Sequence, residues 1–489
     1  MGCRVVTMEL SVTKRIAKNM SWLFLGNSLN GLIYLALIVY VARVLGASAF
    51  GQYQFAQAFV LYLVMLVDNG LSLLGTREIA RDRAQAGGIA LNLLFVRAIT
   101  ALIIFVLACA TLFVLPMTGE LRLLIGATFL FIFYRALNTE WVFAGVELME
   151  YIPLAKIIFS AGALLLTFWL VKGPQDLLRA PLSLAVSGLF SSIVFLIFLF
   201  GRKMPLQIKA LAPATWWPLF WQALPLGASI FLVQIYSNLD TIMLGFMDRP
   251  EVVGYYNAAY RVLFVCIGLF GIWQNTAMPV MSHRITHDPE GARVFIKKFA
   301  RITAMVFVPL SFLVYLLAPL IIGLAFGQQY APAVSAIRLL ICTLVPITLG
   351  SCYGVLILIP AGRYYDFMWA TGAGAIVNII LNFILIPPFS MAGAAVATIF
   401  AELAAFLMVM YLTQRVMKIN LLPEYFLPGL LAALAVMVYW LSTWLLATLP
   451  VNLTLAGAGL GFILTYASLL LVIERKFIFG FVKELTGKI

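Results

Sequence analysis

From Tyr425 to Ile473 the chain carries no Asp, Glu, Lys, Arg or His, and long apolar runs recur along nearly all of its length. Each run exceeds about 18 residues, enough to cross a hydrocarbon core of about 30 Å as a helix. In lipid every backbone polar group must bond internally, so only helices and closed barrels can span. The runs are continuous and do not alternate apolar with polar, which selects helices. Composition agrees, with 64% hydrophobic and 10% charged residues and a mean hydropathy of +1.05. A soluble domain carries about 25% charge and about 45–50% apolar residues. The sequence therefore predicts an all-α polytopic membrane protein and excludes a soluble fold.

Fourteen spans are expected. The first six lie near 20–43, 51–74, 89–115, 121–144, 153–172 and 180–200, and form an N-lobe over 20–200. Six more, near 218–246, 252–280, 301–325, 331–359, 365–387 and 391–413, form a C-lobe over 218–413. A last helix pair lies within 425–473, near 425–449 and 452–473. Residues 1–19 read as an amphipathic lead-in on the inner leaflet, 201–217 as a cytoplasmic linker and 474–489 as a cytoplasmic tail. No short apolar core with a cleavage site precedes the first span, so that span is expected to stay. The five cysteines, at 3, 109, 266, 342 and 352, show no metal-like clustering and read as small apolar packers.

Orientation follows from the basic residues. With the N-terminus inside, 23 of the 32 Lys and Arg fall on inner loops and tails and five outside: Arg43, Arg122, Lys172, Arg179 and Arg249. An even span count then puts both termini in the cytoplasm. The net charge of +13 is on this reading a topology signal, with no nucleic acid as partner.

One short stretch between the first two spans occurs twice. Gly51, Tyr53 and Ala56 of a Gly-x-Tyr-x-x-Ala motif are answered by Gly254, Tyr256 and Ala259 between the seventh and eighth. Two halves of six spans each keep the same orientation, related by an axis along the membrane normal.

The residues that carry a resemblance are Lys18, Asn19 and Trp22, then Ala42-Arg43-x-Leu45-Gly46 with Phe50-Gly51-x-Tyr53-x-x-Ala56, and Gly75-x-Arg77-Glu78-Ile79-Ala80-Arg81. With these the chain resembles the polysaccharide flippases, the Wzx type of the multidrug/oligosaccharidyl-lipid/polysaccharide exporter superfamily. The resemblance implies alternating access between two six-helix lobes and a polyprenyl-diphosphate-linked oligosaccharide, such as an O-antigen precursor, carried from inner to outer leaflet. It implies residence in a bacterial or archaeal cytoplasmic (inner) membrane. The expected partners are the lipid-linked oligosaccharide, membrane lipids and other polysaccharide-assembly membrane proteins.

No phosphate-binding Gly-x-x-x-x-Gly-Lys-Ser/Thr stretch is present, so no nucleotide cofactor is expected and transport would draw on protons, sodium ions or the substrate's own gradient. Embedded charges cost about 2.5–3.5 kcal/mol each on insertion scales, which makes them candidates by default. The deep cations are Arg97, Arg135, Arg261 and Arg338, with no deep Lys. Guanidinium grips phosphate in a bidentate fork and stays charged when desolvated. Arg135 and Arg261 lie nearest mid-span, one in each half, whereas Arg97 and Arg338 are close enough to an interface to snorkel. The alternative for each Arg is pairing with a nearby carboxylate. Asp68, Glu140, Asp240 and Glu402 are the candidates to carry a coupling ion, with a salt-bridge role the stronger expectation.

Asn27, Asn30 and Tyr34 share one helical face, as do Gln234, Asn238 and Thr241, and Asn257 stands one turn before Arg261. Such polar faces line a helix contact or a central cavity, and the cavity is preferred. Pro225, Gly227, Pro309 and Pro346 offer bending points. His283 and His287 lie in an inner loop away from embedded carboxylates, so no catalytic or metal role is expected.

Three readings compete with the lipid-linked oligosaccharide flippase. A lipid II flippase also has fourteen spans and an Arg-bearing cavity. A multidrug or cation antiporter wants a carboxylate-dominated cavity and twelve spans. A membrane glycan polymerase or ligase, the one enzyme among them, needs a large charged outer loop, and the outer loops here are short.

Overall fold

The computed structural model describes residues 2–203, 210–477, 479 and 480; the side chains of 2–21, 202, 203, 225, 226 and 228–237 lie outside that description. Gln234, the lead-in side chains, linker positions 204–209 and most of the tail are among the expectations left outside it.

Helix runs from Gly2 to Asp68, broken at Gly46, whose φ of 77° and ψ of 170° are open to a residue without Cβ. As one rod its 67 residues would reach about 100 Å, over three times a hydrocarbon core. The break yields α1 (2–45) and α2 (47–68), and the motif residues Phe50, Tyr53 and Ala56 just beyond it are buried. There follow α3 (Leu71–Arg81), α4 (Ala86–Val114), α5 (Gly119–Phe129), α6 (Phe131–Leu137), α7 (Glu140–Gly145), α8 (Tyr151–Leu170), α9 (Arg179–Phe198) and α10 (Trp216–Met247). Next come α11 (Pro250–His287), α12 (Pro289–Ala325), α13 (Ala333–Leu340) and α14 (Leu344–Tyr353). The helix Tyr364–Thr413 is broken at Ser390 (φ 57°, ψ −137°), just after Pro387 and Pro388, giving α15 (364–389) and α16 (391–413). Then α17 (Leu422–Leu445) and α18 (Val451–Ile473) follow.

Ten of these stretches are long and apolar enough to cross a membrane, two of them containing the breaks at Gly46 and Ser390. With the interrupted 119–145 segment and α10, the fourteen spans read from the sequence are accounted for. The fourth span differs from its expected form. It consists of α5, α6 and α7 in series, because Asn138 leaves the helical region at ψ 129°.

The chain packs as two compact units, residues 1–254 and 255–489. That division falls later than the linker at 201–217, because α10 packs with the first unit. Phe246 meets Phe55 and Phe59 edge-on at 5.4 and 5.8 Å, and the Asn69 amide donates to the Phe220 carbonyl at 3.4 Å. Asn92 on α4 fixes the start of α10 more firmly. Its Nδ2 donates to the Ala210 carbonyl at 2.8 Å, and its Oδ1 accepts from the Ala212 amide and the Trp216 indole at 2.9 and 2.8 Å.

In the second unit α17 and α18 pack on α12, joined by a buried cluster including Leu316, Ala435, Tyr439, Ala458 and Phe462. Pro309 and Pro319 lie inside α12. Neither has an N–H, so the carbonyls four residues earlier, Met305 and Tyr315, lose their helical donors. An unpaired carbonyl in lipid costs several kcal/mol. The Tyr466 hydroxyl donates to Met305 O at 2.9 Å, and Arg338 Nε to Tyr315 O at 3.4 Å. Pro309, read from the sequence as a bending point, thus also creates the acceptor that helps tie α18 to α12.

Candidate functional site

The break in the fourth span organises a polar network inside the first unit. Where α6 ends, its last carbonyls have no helical donors. Arg97, from α4 and 2% exposed, fills the gap. One terminal nitrogen donates to Asn138 O at 3.2 Å; the other donates to Arg135 O and stands 3.2 Å from Asp68 Oδ1. The Trp141 indole adds a second bond to Asn138 O, at 3.0 Å. Asp68 also accepts from the Ser72 hydroxyl at 2.5 Å.

Asn138 starts α7 as a local cap, its Oδ1 accepting from the Glu140 amide and its Nδ2 donating to Glu140 Oε1, both at 3.0 Å. Glu140 Oε2 lies 3.6 Å from Lys156 Nζ, which donates at 3.3 Å to Asn27 Oδ1 on α1. The network therefore links α1, α2, α4, the α6–α7 break and α8. A buried ion pair is costly unless its remaining donors and acceptors are satisfied. Here the carbonyls freed by the break supply acceptors for the two terminal nitrogens that Asp68 alone could not, while the buried Arg97 Nε has no partner among the described residues.

Of the residues singled out in the sequence, Asn27, Asp68, Arg97, Arg135 and Glu140 meet in this network. Arg97 does not snorkel to an interface; it is sealed within the unit as Asp68's partner, because the broken helix needs its donors. Asp68 and Glu140 take the ion-pair roles that were the stronger expectation for them. Arg97 pairs with Asp68 and Lys156 with Glu140, whereas Arg135 enters the network by its main-chain carbonyl and adds one positive charge beside it. Arg135 is half-buried, with no carboxylate in ion-pairing range among the described residues.

The other candidates stand apart from the network. Asn30 is half-buried on α1, and Asn238 and the buried Asp240 on α10 are both partnered. In the second unit Asn257 on α11 and Glu402 on α16 are half-buried and partnered. Arg261, also on α11, is half-buried with no ion pair among the described residues, and Arg338 lines a cavity of its own. Among the described residues no group of three or more His, Cys, Asp or Glu could hold a metal. Sequence reasoning missed Lys156, placed by its position in an inner loop, and Asn138. The Asn-Thr pair at 138–139 inside an apolar run was the available signal.

A discontinuous span and charged side chains held within a helical membrane unit are features of a transporter fold. The structure is similar to that of the lipid II flippase MurJ in an inward closed conformation, with a TM-score of 0.77, 14% identity, and coverage of 93% of this chain and 99% of that one. It is also similar to an inward-facing multidrug resistance MATE family transporter of the MOP superfamily, with a TM-score of 0.66, 17% identity, and coverage of 80% and 96%. In sequence it is 24% identical over 410 residues to a protein of Escherichia coli strain K12 named "Putative O-antigen transporter", covering 81% of this chain and 96% of that one. It is 31% identical over 172 residues to "Probable flippase AglR" of Haloferax volcanii, covering 34% and 35%. Residues 16–284, more than half of the chain, match the family of polysaccharide biosynthesis proteins. The chain belongs to that family.

Proposed function

We propose that this protein is a flippase that carries a polyprenyl-diphosphate-linked oligosaccharide from the inner to the outer leaflet of a cytoplasmic membrane, by alternating access, for surface polysaccharide assembly. Both termini lie in the cytoplasm on this reading. The O-antigen transporter and flippase names of its relatives support the substrate class. The observation that carries the proposal is Arg135 at the helix break: its main-chain carbonyl is held by Arg97, and its side-chain cation has no carboxylate in ion-pairing range among the described residues. A guanidinium there gives a diphosphate a charge-assisted partner without a competing carboxylate.

Complementation of a flippase-deficient strain tests it. A lost charge-assisted contact weakens binding by about one to two orders of magnitude, so Arg135→Ala should lose surface polysaccharide at normal membrane abundance. Arg135→Lys should restore part of it, keeping the charge without the fork. Normal export by Arg135→Ala would sink the assignment.

A further inference from the structure

The second unit contains a cavity of about 530 Å³ walled by α12, α13, α17 and α18, with Tyr315, Arg338, Trp440, Thr443 and Thr454 among its lining. Arg338 is the only ionised side chain in that lining, and no carboxylate pairs with it among the described residues. Its Nε is held by the carbonyl that Pro319 leaves free, and its guanidinium lies over the Tyr315 ring, 5.4 Å from the centroid. The two terminal nitrogens have no partner among the described residues. Thr443 and Thr454 direct their protons to backbone carbonyls, at 2.7 Å to Trp440 O and 2.9 Å to Leu446 O. The cation is therefore the group in this cavity that seeks an anion.

A fixed guanidinium in an apolar surround, without a counter-charge, favours an anion from outside the protein. The rim is apolar and exposed: Trp440 is 63% and Val451 72% exposed, and Leu441, Leu445 and Leu453 are exposed beside them, as suits a surface covered by lipid. We propose that this cavity binds the headgroup of an anionic phospholipid, the phosphate on the terminal nitrogens of Arg338 and the acyl chains along α17 and α18. Guanidinium and a phosphate ester match in a two-pronged contact. One cation balances one phosphodiester charge, whereas a diphosphate calls for more than Arg338 supplies. The site is separate from the Arg135 network and stands or falls without it.

The test uses the full-length protein in detergent micelles, with bound lipid measured by native mass spectrometry. Phosphatidylglycerol is titrated against phosphatidylcholine, and melting without added lipid reports folding. One two-pronged ionic contact corresponds to a preference of about tenfold for phosphatidylglycerol in the wild type. Arg338→Gln should reduce it to about twofold or less, and Arg338→Lys should fall between. Thr443→Trp keeps the cation and fills the space, and should likewise expel the lipid. Wild-type preference retained by Arg338→Gln overturns the proposal; if that variant does not fold, retention by Thr443→Trp overturns it. A polyprenyl diphosphate that displaces phosphatidylglycerol from the wild type at lower concentration than phosphatidylglycerol itself would also overturn the phospholipid assignment.

Discussion

Gly51 and Gly254, the glycines that head the two copies of the repeated motif, lie backbone against backbone: a Cβ on Gly51 would stand 2.9 Å from the Gly254 amide nitrogen. The same Cβ would overlap the Pro250 carbonyl, and one on Gly254 would overlap the Ala47 carbonyl. The motif thus marks a close approach of main chain to main chain, which any side chain would prise open.

Gly51→Val is therefore expected to destabilise the protein by about 1–3 kcal/mol, the range for overpacking a tight contact. Its melting temperature in detergent should fall, and Gly268→Val, at a helical glycine with open space around it, should fall less. Equal melting of the two variants would contradict the close approach.

Removing one member of the buried Arg97–Asp68 pair leaves an uncompensated charge, which typically costs about 3–5 kcal/mol. Arg97→Met is expected to lower membrane abundance sharply, and Arg97→Lys to do little better, since an ammonium cannot reach Asp68 and both carbonyls in the same plane. Asp68→Asn should be milder, because Arg97 keeps its two carbonyl acceptors. Abundance on membrane immunoblots ranks the three; a wild-type level in Arg97→Met would show that the network is dispensable.

Tyr466→Phe should cost about 1 kcal/mol by stranding the Met305 carbonyl. Pro309→Ala gives that carbonyl back an intrahelical donor, so the loss from Tyr466→Phe should shrink in the Pro309→Ala background. A double-mutant cycle in thermal stability reads the coupling directly. Additive effects would mean that the proline and the tyrosine act independently.

Reporter fusions check the orientation drawn from the basic residues. Gly119, Lys172 and Gly327 are expected to report outside, and Gly88 and Gly291 inside. Reversal at any two sites would overturn the topology.

Much of the fold was legible because insertion of a span depends on the composition of about 20 consecutive residues, and nothing distant changes that sum. The spans, and through them the membrane class, follow from the sequence alone, and the motif at 43–58 carried the family resemblance. The helix break at Gly46 coincides with that motif, at a φ of 77° that glycine adopts without the steric cost a Cβ brings.

The partners of the embedded charges were decided only by tertiary structure. Asp68 and Arg97 sit on different helices, and Lys156 reads as a cytoplasmic lysine until packing brings it to Glu140 and Asn27. The Asn-Thr pair at 138–139 is the one local sign of a break in the fourth span, and the break is stable only when Arg97 and Trp141 arrive to satisfy its carbonyls. Likewise Pro309 announces a missing donor in its own helix, but the hydroxyl that replaces it belongs to Tyr466, 161 residues beyond Met305. Burying apolar surface is a local decision; satisfying a polar group inside lipid is not, and the site is made of such groups.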